Sequence, residues 1–284
     1  LGTPEGYGGR RRTPCGAGAK AAAPRIATTA VVPVPRRFLG LDLAWSRRNP
    51  SGVAALDESG RVIDARADVG DDAELLVWIR RHLAPTTVLG IDMPTIVPNE
   101  TGMRPCEREL AQDFRRFHAA PHPANRGRFP DGGRARALLD ALEVDGVAER
   151  LDLPAGTFGR YAFEVFPHPS LVRLFDLPAI FRYKKKSRPW PGVLAEWSRY
   201  RAALASLEDA DPPLVLGDAV PSEPSARGYK RFDDLLDAVT CAYIASFLWR
   251  HGTVGPETRI YGDLAGGYIA IPNRKKIARE ADRE

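Results

Sequence analysis

The sequence predicts an α/β fold: a mixed five-stranded sheet, three strands antiparallel and two parallel, with helices on both faces. Three observations carry this expectation. Three apolar strand patterns follow one another within residues 37–69, joined by short turn-rich links. The later strand patterns are separated by helical stretches long enough for crossovers. A nearly all-apolar helix near the C-terminus, residues 231–250, must cover a sheet to bury itself.

Taken in order, RFLGLDLA (37–44), SGVAALD (51–57) and RVIDARADV (61–69) read as a three-stranded meander. DDAELLVWIRRHL (71–83) places Leu75, Leu76, Ile79 and Leu83 at helical spacing behind an acidic cap region. TTVLGIDMP (86–94) is a fourth strand. RPCERELAQDFRRF (104–117) and GRARALLDALEVDGVAERL (133–151) read as helices, RYAFEVFP (160–167) as the fifth strand, and PGVLAEWSRYRAALASL (191–207) as an amphipathic helix. After the long apolar helix, RIYGDLAGGYIAIP (259–272) closes as a hairpin-like pair of short strands.

The 284 residues are 44% hydrophobic and 27% charged, which suits one globular domain with tails. The expected bounds are a disordered tail over residues 1–35, a domain over 36–273 and a charged tail over 274–284. The first 35 residues are Gly, Pro, Ala and Arg with few large apolar side chains. GAGAK there lacks the preceding strand and the Lys-Ser/Thr ending of a phosphate loop. Cys15, Cys106 and Cys241 are odd in number and far apart, which argues against a disulfide framework and fits a reducing cytoplasm. No apolar run approaches the roughly 18 residues of a membrane span, so no membrane partner is expected. The net charge of +5 favours polyanions only weakly, since part of it lies in the N-terminal tail.

The informative oddity is a set of carboxylates in apolar surroundings. Asp42, Asp92 and Glu164 each interrupt an apolar strand, and Asp237 interrupts the apolar helix. A single buried acid is ordinarily explained by a turn or an ion pair; four together call for a shared cause. Asp42 and Asp92 sit in the same frame, Gly-Leu-Asp-Leu and Gly-Ile-Asp-Met, so adjacent parallel strands would set them side by side. Acids that close raise each other's pKa unless a positive group stands between them, and hard oxygen donors suit Mg²⁺ or Mn²⁺. Asp234 lies three residues before Asp237, hence on the same helix face. It is nearer the helix start, where a carboxylate can also cap. Two ions held by such a cluster can activate water and stabilise the leaving oxygen of a phosphodiester.

These motifs resemble a known superfamily. An acid in a first strand, an acid after a fourth strand and an Asp-x-x-Asp-Ala helix start resemble RNase H-like proteins, and DLLDA is similar to the helix start of the RuvC-like resolvase branch. As an ordered set, GLDLAW, GIDMP, RPCEREL, FEVFP, DDLLDAVTCA and GGYIAIP resemble the domain of unknown function 429 family, described as predicted nucleases of that fold, over residues 37–273. The resemblance implies Asp42, Asp92 and Asp237 as metal ligands, although resolvases more often carry glutamate at the second position. Asp234 is a neighbour of that set. Glu164 belongs to the family's FEVFP pattern and is either a ligand or the partner of an arginine. The implied activity is metal-dependent hydrolysis of DNA or RNA. ATP-dependent phosphotransfer on a related fold, or a binding module without chemistry, are the alternatives.

Other residues are weighed beside these. FRYKKKSRPW (181–190) combines Lys184, Lys185, Lys186 and Arg188 with Phe181, Tyr183 and Trp190, as a nucleic-acid contact would. Cys106, His118 and His122 lack the fourth ligand and the spacing of a zinc site. The Pro-rich loop FHAAPHPANRGRF, with His118, His122 and Arg126, could cover the acids and meet a phosphate. Arg104 or Arg108 could neutralise them, although surface ion pairs are the commoner use of such residues. His168, directly after a strand, could serve as a general base.

Overall fold

The computed structural model describes residues 34–46, 49–185 and 187–273, with residues 1–3, 6, 8 and 9. The expectations for both tails therefore fall almost wholly outside the described residues. The elements below all belong to the unit that starts at Val34.

Strands β1 (Arg36–Asp42), β2 (Ser51–Leu56) and β3 (Val62–Val69) form the expected antiparallel meander. Helix α1 (Asp72–His82) comes next, its first turn closed by the Asp71 carboxylate accepting from the Glu74 N–H at 2.8 Å. Strand β4 (Thr86–Ile91) returns parallel to β1, and β6 (Arg160–Glu164) parallel to β4. Helices α2 (Pro105–Phe114) and α3 (Gly133–Leu142) lie between them in sequence. Next come α4 (Pro167–Phe175), α5 (Trp190–Ala205), α6 (Lys230–His251) and the hairpin β7 (Thr258–Asp263) and β8 (Gly267–Pro272).

The sheet has six strands, not five, in the order β3-β2-β1-β4-β6-β5. The additional strand β5 (Val147–Glu149) runs parallel to β6 at the edge. It lies inside the stretch read as one helix over 133–151. That helix ends at Leu142, where a short 3-10 turn and Gly146 at φ +75° redirect the chain. Helix α4, which the apolar pattern did not announce, starts on Pro167 immediately after β6.

Two apolar layers flank the sheet. Leu39, Leu41, Leu89, Ile91 and Ala162 face α1 and α3, whereas Phe38, Val88, Phe163 and Val165 face α5 and α6. Glycines set the distance on the α6 side. A Cβ on Gly40 would stand 1.9 Å from the Ala238 carbonyl oxygen, and one on Gly90 2.4 Å from that of Cys241. A Cβ on Gly52 would stand 2.4 Å from the Asp234 carbonyl oxygen. The helix backbone therefore lies directly on the strands. The hairpin, α2 and α4 enclose a third apolar cluster beside the sheet. Among the described residues no helix is long and apolar enough to cross a membrane.

Candidate active site

The close seat of α6 decides where the acids go. Asp42 ends β1, and Asp92 follows β4 directly, its N–H donating to the Leu41 carbonyl at 2.8 Å. Both have the strand parity of Gly40 and Gly90, so both point to the α6 face. There Asp234 and Asp237 approach from the first turns of α6. Asp42, Asp92 and Asp237 thus converge from three elements at the C-terminal ends of the parallel strands. Asp42, Asp92 and Asp234 line a cavity of about 680 Å³.

Asp237 sits behind that cavity, 1% exposed. Its Oδ1 accepts from the Tyr183 hydroxyl at 2.5 Å and from the Tyr200 hydroxyl at 3.3 Å. Lys184 Nζ stands 2.9 Å from its Oδ2, outside hydrogen-bond angles, so this contact is an ion pair. Lys184 itself lines the cavity and is the positive group the cluster needs. Burial opposes ionisation of Asp237, yet Lys184, with His168 and the Tyr183 hydrogen bond, holds it below the usual carboxylate range. Burial likewise disfavours the charge on Lys184, but Asp237 and Asp42 hold its pKa above normal.

The other acids go the opposite way. Burial, then the charges of Asp237 and Asp92, push Asp42 well up. Burial and Asp237 push Asp92 up to about 7. Burial raises Asp234 as well, partly offset by its ion pair with Lys230. Asp234 spends its carboxylate on that lysine and caps nothing, since the helix already begins at Lys230. Asp233, not singled out from the sequence, is buried beside it and raised to about 7, first by burial.

Glu164 is the arginine partner. It lines the same cavity with Arg104 and Glu107 and adds to the charge that raises Asp92, but Arg104 grips it through Nη1 at 2.8 Å and Nη2 at 2.5 Å, and the Thr95 N–H donates to it at 3.0 Å. Arg104 also reaches Glu107 at 3.0 Å, and Glu107 accepts from the Ala124 N–H at 3.0 Å. This wholly buried triad fastens α2 and two loops to β6; Glu164 has little carboxylate left for a metal. Arg108 instead donates to the Met103 carbonyl on the surface.

The basic stretch does not behave as one surface. Lys184 turns inward, Lys185 and Arg188 are exposed, and Lys186 lies outside the described residues. Arg188 donates to the carbonyls of Arg182 and Lys184. Phe181 and Tyr183 are buried and cannot stack on a base, and Trp190 packs edge-on to Tyr229 at 5.2 Å. His118, His122 and His168 all line the cavity, whereas Arg126 pairs on the surface with Glu100. His168 Nε2 lies 3.2 Å from the Tyr183 hydroxyl. Tyr183, Tyr200, Lys184 and Lys230 are the site residues that sequence reasoning missed or misplaced. The apolar–polar–apolar order Phe181-Arg182-Tyr183 was the available signal for Tyr183.

The donor set suits a hard cation in kind, because it offers carboxylate oxygens from separate elements around a buried, ion-paired Asp237. Among the described residues no group of three or more Asp, Glu, His or Cys side chains is placed to hold a metal ion. Lys184 supplies the compensating charge instead.

Neither curated proteins nor solved structures yield a match to this chain. One family model does match, described as a protein of unknown function (DUF429), and it covers residues 40–263. That span runs from the glycine under α6 to the last residue of β7 and includes every carboxylate of the cluster, so the chain belongs to the DUF429 family.

Proposed function

We propose that this protein is a nuclease of RNase H-like type, hydrolysing phosphodiester bonds with Mg²⁺ or Mn²⁺ bound by Asp42, Asp92 and Asp237. One observation carries the reading: Asp42 at the end of β1 and Asp92 after β4 line one cavity with Asp237 of α6 buried behind them, and burial and mutual repulsion raise the two strand acids. Such a cluster is costly without a cation, and stability alone gives no reason to build it. Bound there, a divalent ion would lower the pKa of a water and stabilise the leaving oxygen. The chain's own residues do the rest. Lys184, Lys230 and His168, on the cavity wall, bring donors to the phosphate oxygens. The seat of α6 on Gly40 and Gly90 fixes Asp237 relative to the strand acids.

The Lys184–Asp237 pair also favours a second reading, a binding pocket whose acids are neutralised from within the protein. Calorimetric titration with Mn²⁺, beside cleavage of single-stranded, duplex, hybrid and branched substrates, separates the two. The nuclease reading expects saturable binding and cleavage, both lost in Asp42→Asn. Undiminished cleavage by purified Asp42→Asn would end it, and absent metal binding with absent cleavage would leave the pocket.

A further inference from the structure

Beside the cavity, Phe114 packs against two further aromatic rings. The centroids of Phe117 and Phe114 are 6.1 Å apart, and those of Phe114 and Tyr261 are 6.4 Å apart. Each ring carries a guanidinium over its face. Arg116 lies 4.5 Å above Phe117, Arg173 lies 5.1 Å above Phe114, and Arg259 lies 4.8 Å above Tyr261. The three arginines come from the turn after α2, the last turn of α4 and β7, and all are exposed.

Arg116 and Arg173 have no carboxylate within ion-pair distance among the described residues, although surface arginines commonly find one. Arg259 has Asp113 at 4.0 Å, and that carboxylate also accepts from the Tyr261 hydroxyl at 2.7 Å. A guanidinium resting over a ring is partly positioned already, so it meets a phosphate with less further loss of side-chain freedom. One end of the set adjoins the cavity. Phe117 is followed by His118, which lines it, and the Phe117 carbonyl accepts at 3.0 Å from the N–H of Ile180, which lines it too.

We infer that the Arg116–Arg173–Arg259 set is the track along which the backbone of a single-stranded nucleic acid approaches the carboxylates. The inference rests on the nuclease reading for its direction, though the binding it requires can be measured without cleavage. A single strand is argued from size: a cavity of about 680 Å³ is in the range of small-molecule sites, too small to admit a duplex.

The test is fluorescence anisotropy of a labelled single-stranded oligonucleotide in EDTA, over a series of salt concentrations. The triple variant Arg116→Gln, Arg173→Gln, Arg259→Gln should bind more weakly. Its plot of log affinity against log salt should be shallower by about 2, since each neutralised phosphate of a single strand adds roughly 0.7 to the slope. The corresponding triple lysine variant should restore most of that slope, and melting curves check that each variant folds. The parental slope in the glutamine variant overturns the inference, as does a parent that does not bind single strands or binds duplex better through the same arginines. Arginine-dependent binding without cleavage under any metal would sink the nuclease reading and leave the track. Cleavage that survives with an unchanged slope would do the reverse.

Discussion

Lys184 and Asp237 hold opposite charges in a place where each is costly alone. Lys184 is 29% exposed at its side chain and Asp237 1%. Replacing Lys184 by Met strands a buried carboxylate, which costs about 3 kcal/mol at the lower end for a broken buried pair. The same change removes the ammonium that competes with a cation. Lys184→Met should therefore melt lower than the parent in EDTA, bind Mn²⁺ more tightly by calorimetry, and recover more stability when the ion is added. Weaker Mn²⁺ binding in the variant would show that Lys184 assists the cation rather than stands in for it. The acids themselves were legible in the sequence because each broke an apolar run. Lys184 was not, because a lysine followed by two more reads as solvated surface. Only the path of the loop turns Lys184 inward. Glu164 carried the same signal as Asp42 and lines the same cavity, and what sets it apart is the buried Arg104 that takes up its carboxylate.

At the scale of elements, the site is a consequence of helix seating. Gly40 and Gly90 each stand two residues before an aspartate, and each lets the α6 backbone touch its strand. Gly40→Ala puts a methyl group 1.9 Å from the Ala238 carbonyl oxygen, so α6 must lift. Overpacking of this kind costs about 1–3 kcal/mol, and it carries Asp237 away from Asp42 and Asp92. The expected outcome is a lower melting temperature together with weaker Mn²⁺ binding. Gly192→Ala, where an added Cβ meets nothing within 4 Å, is the control. Parental melting and binding in Gly40→Ala would mean that the helix has room to yield. The meander, α1, β4, β6 and the final hairpin were readable from apolar period and turn residues. Strand β5 was not, because three residues are too few for a period and its neighbours continue a helical pattern. Helix α4 was hidden because Pro167 and Pro169 in its first turn look like loop.

For the whole molecule, the raised acids set how stability follows pH. Asp92 and Asp233 titrate at about 7 in the folded chain and near ~3.9 when unfolded. Between those values the folded chain keeps protons that the unfolded chain has released. Their contribution is therefore fully present at the acid end and is lost as the pH rises through about 7. Asp42 adds to the same trend, whereas the depressed Asp237 acts only at more acid pH, where its contribution falls away. In EDTA the melting temperature should decline from about pH 4 to about pH 7, and Asp92→Asn should flatten part of that decline. A melting temperature that climbs across the window would show that the cluster does not dominate. The approach of α6 to β1 has one more consequence, which concerns division of the chain. Asp42 stands near the beginning of the described domain and Asp237 near its end, so no short contiguous segment contains the centre. A crossover or fragment boundary between β4 and α6 parts the strand acids Asp42 and Asp92 from the helix acids Asp234 and Asp237. Only their reunion assembles the full set of acids, so the centre is a property of the folded domain and of no single segment.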